Sequence, residues 1–450
     1  MKISDVLIEK YNVPVPRYTS YPTVPYWSGG INDENWKSLV KRTFDETNNE
    51  DGISIYVHLP FCESLCTYCA CNTRITKNHK VERPYVDSLL KEWDQYVDIF
   101  GSRPRIRELH LGGGTPTFLS SLNLKNLITG ILERSDLHPC YSFSFEGHPN
   151  NTTSDHLETL FSLGFRRVSY GVQDLDYKVQ KTINRIQPFE NVKQATNSAR
   201  SIGYESVNFD LVYGLPFQHL DSVENTVSKV LDLKPERIAF YSYAHVPWKH
   251  PSQRAYTEND LPSSQVKREL YELGKQALLA AGYIDVGMDH FALKGDALYQ
   301  SYQNKTMHRN FMGYTEAKTD LLIGLGASAI SDAKYGYAQN IKKVEDYNST
   351  VESGIPIFKG HKLEESELEI RDRILSLTCK GELKWRVGQL SLTQLIKLNE
   401  MNDEGLIELY DEGLRITELG MAFLRNICAV FDLNINRKPT GDNPVFSKAI

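Results

Sequence analysis

The sequence predicts an α/β protein built on a partial (β/α)6 barrel, with an N-terminal arm and a mainly helical, winged-helix-like C-terminal domain. Three observations point there. Six short β-rich segments alternate with helical ones between Ile53 and Pro247, polar and glycine residues gather at the ends of those segments, and the texture changes to helices from about Glu364 onward. A chain of 450 residues with 40% apolar and 11% aromatic residues can bury the core of one large domain and a smaller one.

In chain order, residues 1–50 are expected to form the arm, which contains the aromatic-rich stretch "PRYTSYP". Residues 51–360 hold the barrel and an extension. The segments "ISIYVHLP", "IRELHLGGG", "YSFSFEGHP", "RRVSYGVQ", "SVNFDLVYGLP" and "RIAFYSYAHVP" are the expected strands. Between them, "RPYVDSLLKEWDQYVDIF", "SDHLETLFSLG" and "SVENTVSKVLDLKP" place apolar residues three and four apart, as amphipathic helices do. That alternation is the rhythm of a parallel sheet, and such sheets place their chemistry at the carboxyl ends of the strands. The cysteines, a triple glycine, Glu146, Gln173 and Asp210 all fall there. Residues 361–450 form the C-terminal domain, where "GLIELYDEGLRITELGMAFLRNIC" reads as a hairpin with a DEG turn followed by a helix. Winged-helix modules often bind DNA through Lys and Arg, but Glu404, Glu408, Asp411, Glu412 and Glu418 make this one acidic. Packing or lid duty is the expectation, and nucleic acid is not an expected partner.

A net charge of -6 gives no global field for nucleic acid. No stretch is apolar for the ~20 residues that a membrane-spanning helix needs, and the first residues lack an apolar run bounded by a small-residue cleavage site. The seven cysteines are odd in number and clustered, unlike a secreted disulfide framework. A cytoplasmic, reducing location is expected.

Four cysteines, Cys62, Cys66, Cys69 and Cys71, stand in "YVHLPFCESLCTYCACN". Three chemistries fit thiols so placed: a zinc site, a dithiol redox pair at Cys66 and Cys69, and an iron-sulfur cluster. A closed zinc site usually draws two pairs of ligands from separated segments, whereas these four share one loop. A cluster normally takes four thiolates, so a loop supplying three would leave one iron open to another ligand.

The spacing Cys62-x3-Cys66-x2-Cys69 resembles the signature of radical S-adenosylmethionine (SAM) enzymes. The motifs "YVHLPFC", "HLGGGTPT", "VSYGVQD", "DLVYGLP", "YAHVP", "GMDHFA", "MHRNFMGYT" and "PRYTSYP" resemble, in the same order, those of the oxygen-independent coproporphyrinogen III dehydrogenase family. The resemblance implies a radical SAM barrel and one 4Fe-4S cluster held by Cys62, Cys66 and Cys69, with an exchangeable SAM on the fourth iron and a second SAM beside it. It also implies anaerobic oxidative decarboxylation of coproporphyrinogen III to protoporphyrinogen IX. Partners implied are the substrate, a small electron-donor protein such as flavodoxin or ferredoxin, and an electron acceptor the sequence does not identify. A monomer is expected. Related functions on the same scaffold are a haem chaperone and a haem-opening radical SAM methyltransferase.

By the same comparison Tyr56, Gly113, Glu146, Ala244 and Ile330 contact the first SAM, while Tyr68, Gly114, Thr115, Gln173, Arg185 and Asp210 contact the second. Cys71 is present in the family without being a cluster ligand. "EGHP" departs from the family's "EVDP" and sets Gly147 and His148 beside Glu146. Tyr68 stands where well-known members carry Phe. A tetrapyrrole with four propionates asks for cations and an apolar wall, for which Arg17, His290, His308 and Arg309 are candidates.

Overall fold

The computed structural model describes residues 4–435 and 446–448. Twelve strands form one sheet: β1 Ile53–Leu59, β2 Arg105–Gly113, β3 Asp136–Gly147, β4 Phe165–Gln173, β5 Ser206–Tyr213, β6 Arg237–Ser242, β7 Ile284–Gly287, β8 His290–Ala292, β9 Leu321–Leu325, β10 Ile330–Ala333, β11 Gly336–Asn340 and β12 Ile357–Lys362. Their order is β12-β11-β10-β9-β1-β2-β3-β4-β5-β6-β8-β7. Strands β1 to β6 pair in parallel in sequence order, and β9 joins β1 in parallel from the other side. The outer strands are antiparallel. The six strands read from the sequence are therefore the first six, in a partial barrel extended at both edges.

Parallel strands need crossovers, and helices supply them. Among those packed outside the sheet are α1 Glu82–Phe100, α2 Ser121–Glu133, α3 Ser154–Ser162, α4 Phe189–Ile202 and α5 Leu220–Leu233. Alternation along the strands decides what lies on each face. On β3, β4 and β5 the residues Phe143, Phe145, Val168, Tyr170, Val207, Phe209 and Leu211 are buried in the core shared with the helices. The alternate positions, Ser144, Glu146, Arg167, Ser169, Asn208 and Asp210, line a cavity inside the barrel. The lumen is thus polar, while the stabilising burial lies outside it.

The segment expected to be a single arm divides between two cores. Helix Asp33–Thr47 buries Trp36, Leu39, Val40 and Phe44 in the barrel core. Tyr11, Tyr18 and Tyr21 instead join the core of the C-terminal module. That module has helix Glu365–Lys380, helix Leu392–Asp403 and a small antiparallel sheet in the order Glu382–Lys384, Gly413–Ile416, Ile407–Tyr410. This is the helix, strand, helix, hairpin order of a winged helix, with the DEG turn at the hairpin tip. Tyr18 donates to Asp432 at 3.0 Å, and Arg425 donates to the Pro16 carbonyl at 3.1 Å, so the first residues are tied to the C-terminal module. Among the described residues no helix is long and apolar enough to cross a membrane.

Candidate active site

The carboxyl ends of β1 to β6 open on one cavity of about 620 Å³, a size suited to a small-molecule ligand. Cys62, Cys66 and Cys69 line it, together with Tyr68, Gly113, Gly114, Thr115, Glu146, Gln173, Arg185, Asp210 and Ala244. Residues from five strand ends, β2 to β6, and the loop after β1 thus meet at one mouth.

The cysteine loop is held at both ends by backbone. Phe61–Cys62 pairs with Arg74–Ile75, and the Gly114 and Thr115 amides donate to the Leu59 and Phe61 carbonyls at 2.9 and 3.0 Å. Close approach explains the triple glycine. A side-chain carbon on Gly113, whose φ is +115°, would meet the His58 ring at 2.8 Å, and one on Gly114 would lie 2.7 Å from the Pro60 carbonyl oxygen.

Cationic and N–H donors face the sulphurs. The Arg185 guanidinium lies 3.7 Å from Cys66 Sγ, the Cys71 amide donates to Cys69 Sγ at 3.4 Å, and the Thr115 hydroxyl is 3.4 Å from Cys62 Sγ. Hydrogen bonding from the Cys71 thiol and amide, with Arg185 nearby, brings the Cys69 thiol down to about 7, while burial raises Cys62 to about 11. Among the described residues no three His, Cys, Asp or Glu side chains converge as ligands of one metal ion. Three thiols around one cavity, with positive charge and N–H groups to offset thiolate, have the donor chemistry of a cluster site.

The polar wall opposite is ordered by short chains. Glu146 accepts from the Gly113 amide at 3.2 Å and faces His110 at 3.5 Å, and His110 in turn contacts the Ser144 hydroxyl at 2.8 Å. Asp210 accepts from Ser169 and from Asn208, both at 2.9 Å. Burial, and then the Glu146 charge, raise the Asp210 carboxyl to about 6. Arg185 donates to the Gly171 carbonyl at 2.6 Å, and its Nε is buried with no hydrogen-bond partner among the described residues. His148 turns Nδ1 to the Asn150 amide at 3.1 Å, and burial, aided by Arg185, lowers it to about 3, so it is neutral. The "EGHP" variation thus adds no charge beside Glu146.

Two residues expected at the first SAM lie behind the cavity wall. Tyr56 is directed to His58 Nδ1 at 3.1 Å and stacks near His110, while Ile330 packs with the group of Trp27, Tyr337 and Leu363. Of the substrate candidates, Arg17 pairs with Asp289 at 3.4 Å and lies over the Tyr241 ring, close to the cavity. Arg309 is buried, donates to the Arg17 carbonyl at 3.4 Å and leaves Nε and Nη1 with no hydrogen-bond partner among the described residues. The two histidines differ from the expectation of cations. Burial lowers His290 to about 4, and its ring faces the barrel interior between the Met288 carbonyl and Tyr241. His308 is lowered to about 3 and lines a separate cavity with Glu50, Arg107 and His138, at the amino ends of the strands. Neutral imidazoles supply no charge for propionates, and His308 is not at the mouth.

His110, Ser144, Ser169, Gly171 and Asn208 were not singled out from the sequence. The signal was there in the alternation: each lies two residues from, or on the lumen face beside, a residue that was. At Gly171 a side-chain carbon would sit 2.5 Å from Gln173 Nε2 and 2.9 Å from the Arg185 guanidinium, so glycine leaves both side chains where they are.

Residues 56–230 match the Radical SAM superfamily model. The chain is 35% identical over 455 residues to the oxygen-independent coproporphyrinogen III oxidase of Helicobacter pylori, covering 98% of each. It is 37% identical over 443 residues to the oxidase of that name from Salmonella typhimurium, covering 96% of this chain and 95% of that one. The solved coproporphyrinogen III oxidase of Escherichia coli, described as a radical SAM enzyme, superposes with a TM-score of 0.89 at 33% identity, over 96% of this chain and 99% of that one. With that likeness running through barrel, arm and winged helix alike, the chain belongs to the family of oxygen-independent coproporphyrinogen III oxidases within the radical SAM superfamily.

Proposed function

We propose that the protein converts coproporphyrinogen III to protoporphyrinogen IX without oxygen, by oxidative decarboxylation of two propionate side chains. The observation that carries this reading is the convergence of the Cys62, Cys66 and Cys69 thiols with Glu146, Arg185 and Asp210 on one cavity, in a chain related end to end to enzymes of that name. Each turnover removes one hydrogen from a propionate β-carbon, releases CO2, leaves a vinyl group and hands one electron to an external acceptor. When bound, a reduced 4Fe-4S cluster supplies the electron that cleaves SAM to the 5'-deoxyadenosyl radical, the species that takes the hydrogen.

The chain's own residues bind, orient and shield. Cys62, Cys66 and Cys69 would hold the cluster, and SAM would complete its ligand set. Glu146 and Asp210 are carboxylates already fixed by N–H and O–H donors, so free lone pairs are available to ribose hydroxyls at no cost in ordering the side chain. Gly113, Gly114 and Thr115 let a ligand approach the backbone closely, while Tyr68 and Ala244 wall the cavity and keep water out. Arg185, held by Gly171, sets positive charge between the thiols and a second SAM carboxylate. Gln173 offers both a donor and an acceptor there. Arg17 and Arg309 are the cations for propionates. The electron comes from a small flavodoxin- or ferredoxin-like protein.

The test uses strictly anaerobic, reconstituted protein with reductant, SAM, coproporphyrinogen III and an extract supplying the acceptor. CO2 and 5'-deoxyadenosine should appear in equal amounts, with a monovinyl intermediate before the divinyl product. Haem binding without CO2 would instead favour a chaperone, and S-adenosylhomocysteine with ring opening of haem a methyltransferase.

A further inference from the structure

Beside the cysteine cavity lies a second, smaller one of about 70 Å³, between the ends of β5 and β6, the helix Ser264–Ala280, the N-terminal arm and the C-terminal module. Ser242 lines both cavities, so the two are neighbours at the same end of the barrel. The small one has a marked excess of positive charge. Arg17, Lys267, Arg268, Lys275 and Arg425 line it against two carboxylates, Asp285 and Asp289.

Most of those charges have an assigned counterpart. Lys275 pairs with Asp285 at 2.7 Å, Arg268 with Glu272, and Arg17 with Asp289 at 3.4 Å. Arg425 spans the carbonyls of Pro16 and Lys448 at 3.1 and 2.9 Å, tying the arm and the chain's end to this wall. Lys267 is different. Its ammonium donates at 2.7 Å to the Tyr243 carbonyl, and no carboxylate of the described residues stands within ion-pair distance. Its stem lies against Gly214, where a side chain would displace it: a carbon there would sit 2.7 Å from Lys267 Cε. Burial, with the charges of Arg17 and Arg425 close by and only partly offset by Asp289, lowers this lysine to about 8. A desolvated ammonium crowded by cations and aimed into a cavity gains most from an anion.

We propose that this cavity is a carboxylate-binding site, in which Lys267 and Arg17 anchor one propionate of the tetrapyrrole that is not being decarboxylated. The assignment rests on the coproporphyrinogen reading above. A cavity of about 70 Å³ has room for the carboxyl end of a side chain, and the shared Ser242 wall lets one side chain of a bound macrocycle enter while another faces the cysteine cavity. Since the arm supplies Arg17 and the C-terminal module supplies Arg425, the site exists only when both are docked. That gives the acidic winged-helix module a task in substrate binding instead of DNA binding.

The variants Lys267→Gln and Lys267→Arg are compared with wild type as anaerobic reconstituted holoenzyme. Two readouts are taken: steady-state kinetics with coproporphyrinogen III, and fluorescence titration with coproporphyrin III, an oxidised tetracarboxylate that needs no turnover to be seen. Loss of one charge-assisted contact should weaken both KM and the coproporphyrin Kd roughly tenfold or more in Lys267→Gln. The KM for SAM and the iron content should stay at wild-type values, and Lys267→Arg should recover most of the loss. Should Lys267→Gln prove unstable, Lys267→Met, which keeps the stem on Gly214, serves in its place. An unchanged KM and Kd in the Gln variant, or an equal loss in Gln and Arg, would overturn the assignment even if wild type decarboxylates normally. Conversely, Lys267-dependent coproporphyrin binding without CO2 release from wild type would uphold the anion site and remove the proposed reaction.

Discussion

Gly114→Ala adds a single methyl group at the turn facing Cys62. Built on the existing backbone, that carbon lies 2.7 Å from the Pro60 carbonyl oxygen, 2.8 Å from its carbon and 3.0 Å from Cys62 Sγ. Relaxed contacts of this kind need about 3.5 Å, so roughly 0.5 to 0.8 Å of relief is required. Pro60 is poorly placed to move, because its carbonyl accepts from the Arg74 amide at 2.7 Å, and Gly114 is tied to Leu59 at 2.9 Å. The contact freest to yield is Cys62 Sγ, a side-chain atom, whereas the Phe61 and Cys62 carbonyls are held by the Thr115 and Thr76 amides at 3.0 and 2.9 Å, so relief displaces the thiol proposed as a cluster ligand. Overpacking of this size costs about 1 to 3 kcal/mol. With an unfolding entropy of about 2.1 cal/mol/K per residue, a chain of this length should lose only ~1 to 3 °C in Tm. The site should suffer more than the fold. After anaerobic reconstitution, iron and sulfide per chain and the rate of SAM cleavage should fall well below wild type, while Gly354→Ala, with no atom within 4 Å of the new carbon, should match it. Full iron, sulfide and SAM cleavage in Gly114→Ala would refute the reasoning that the glycine exists to admit the thiol.

Alanine at Cys62, Cys66 or Cys69 should abolish the broad visible absorption of the reconstituted protein, whereas Cys71→Ala should retain it. Asp210 is raised to about 6, so below that pH it is protonated and a poorer acceptor for ribose hydroxyls; SAM affinity by calorimetry should rise with pH through about 6 in wild type and lose that step in Asp210→Asn. Buried Glu92 accepts from the Gly326 amide, Asn340 and Tyr347 at 2.8, 2.7 and 2.6 Å, yet burial raises it from 4.5 to about 7. The unfolded chain releases this proton near 4.5 and the folded one near 7, so stability falls as pH rises between those values, by up to about 3 kcal/mol. Denaturant titrations at pH 5 and pH 8 should show wild type losing stability relative to Glu92→Gln at the higher pH, and parallel curves would exclude Glu92 as the cause.

What the sequence determined by itself was local. The first six strands, the crossover helices and the DEG hairpin were legible because alternation and three-to-four spacing arise from contacts inside one segment. The cysteine spacing, Glu146, Gln173 and Asp210 were legible for a related reason: once a segment is known to be a parallel strand, its carboxyl end is the place for ligands. Tertiary structure alone decided the rest. Strand β9, "LLIGL", is a short apolar run that takes its meaning only from pairing with β1. The arm divided between two cores because Trp36 and Tyr18 found different apolar neighbours, which neither residue type encodes. His290 and His308 read as cations until burial showed both to be neutral, and His308 fell at the wrong end of the barrel. In the sequence Lys267 is one polar residue among several on an amphipathic helix. Its setting depends on Arg17, Ser242 and Arg425, far apart in the chain, and the cost of keeping a charge away from water is fixed by such distant neighbours and by no feature of the local sequence.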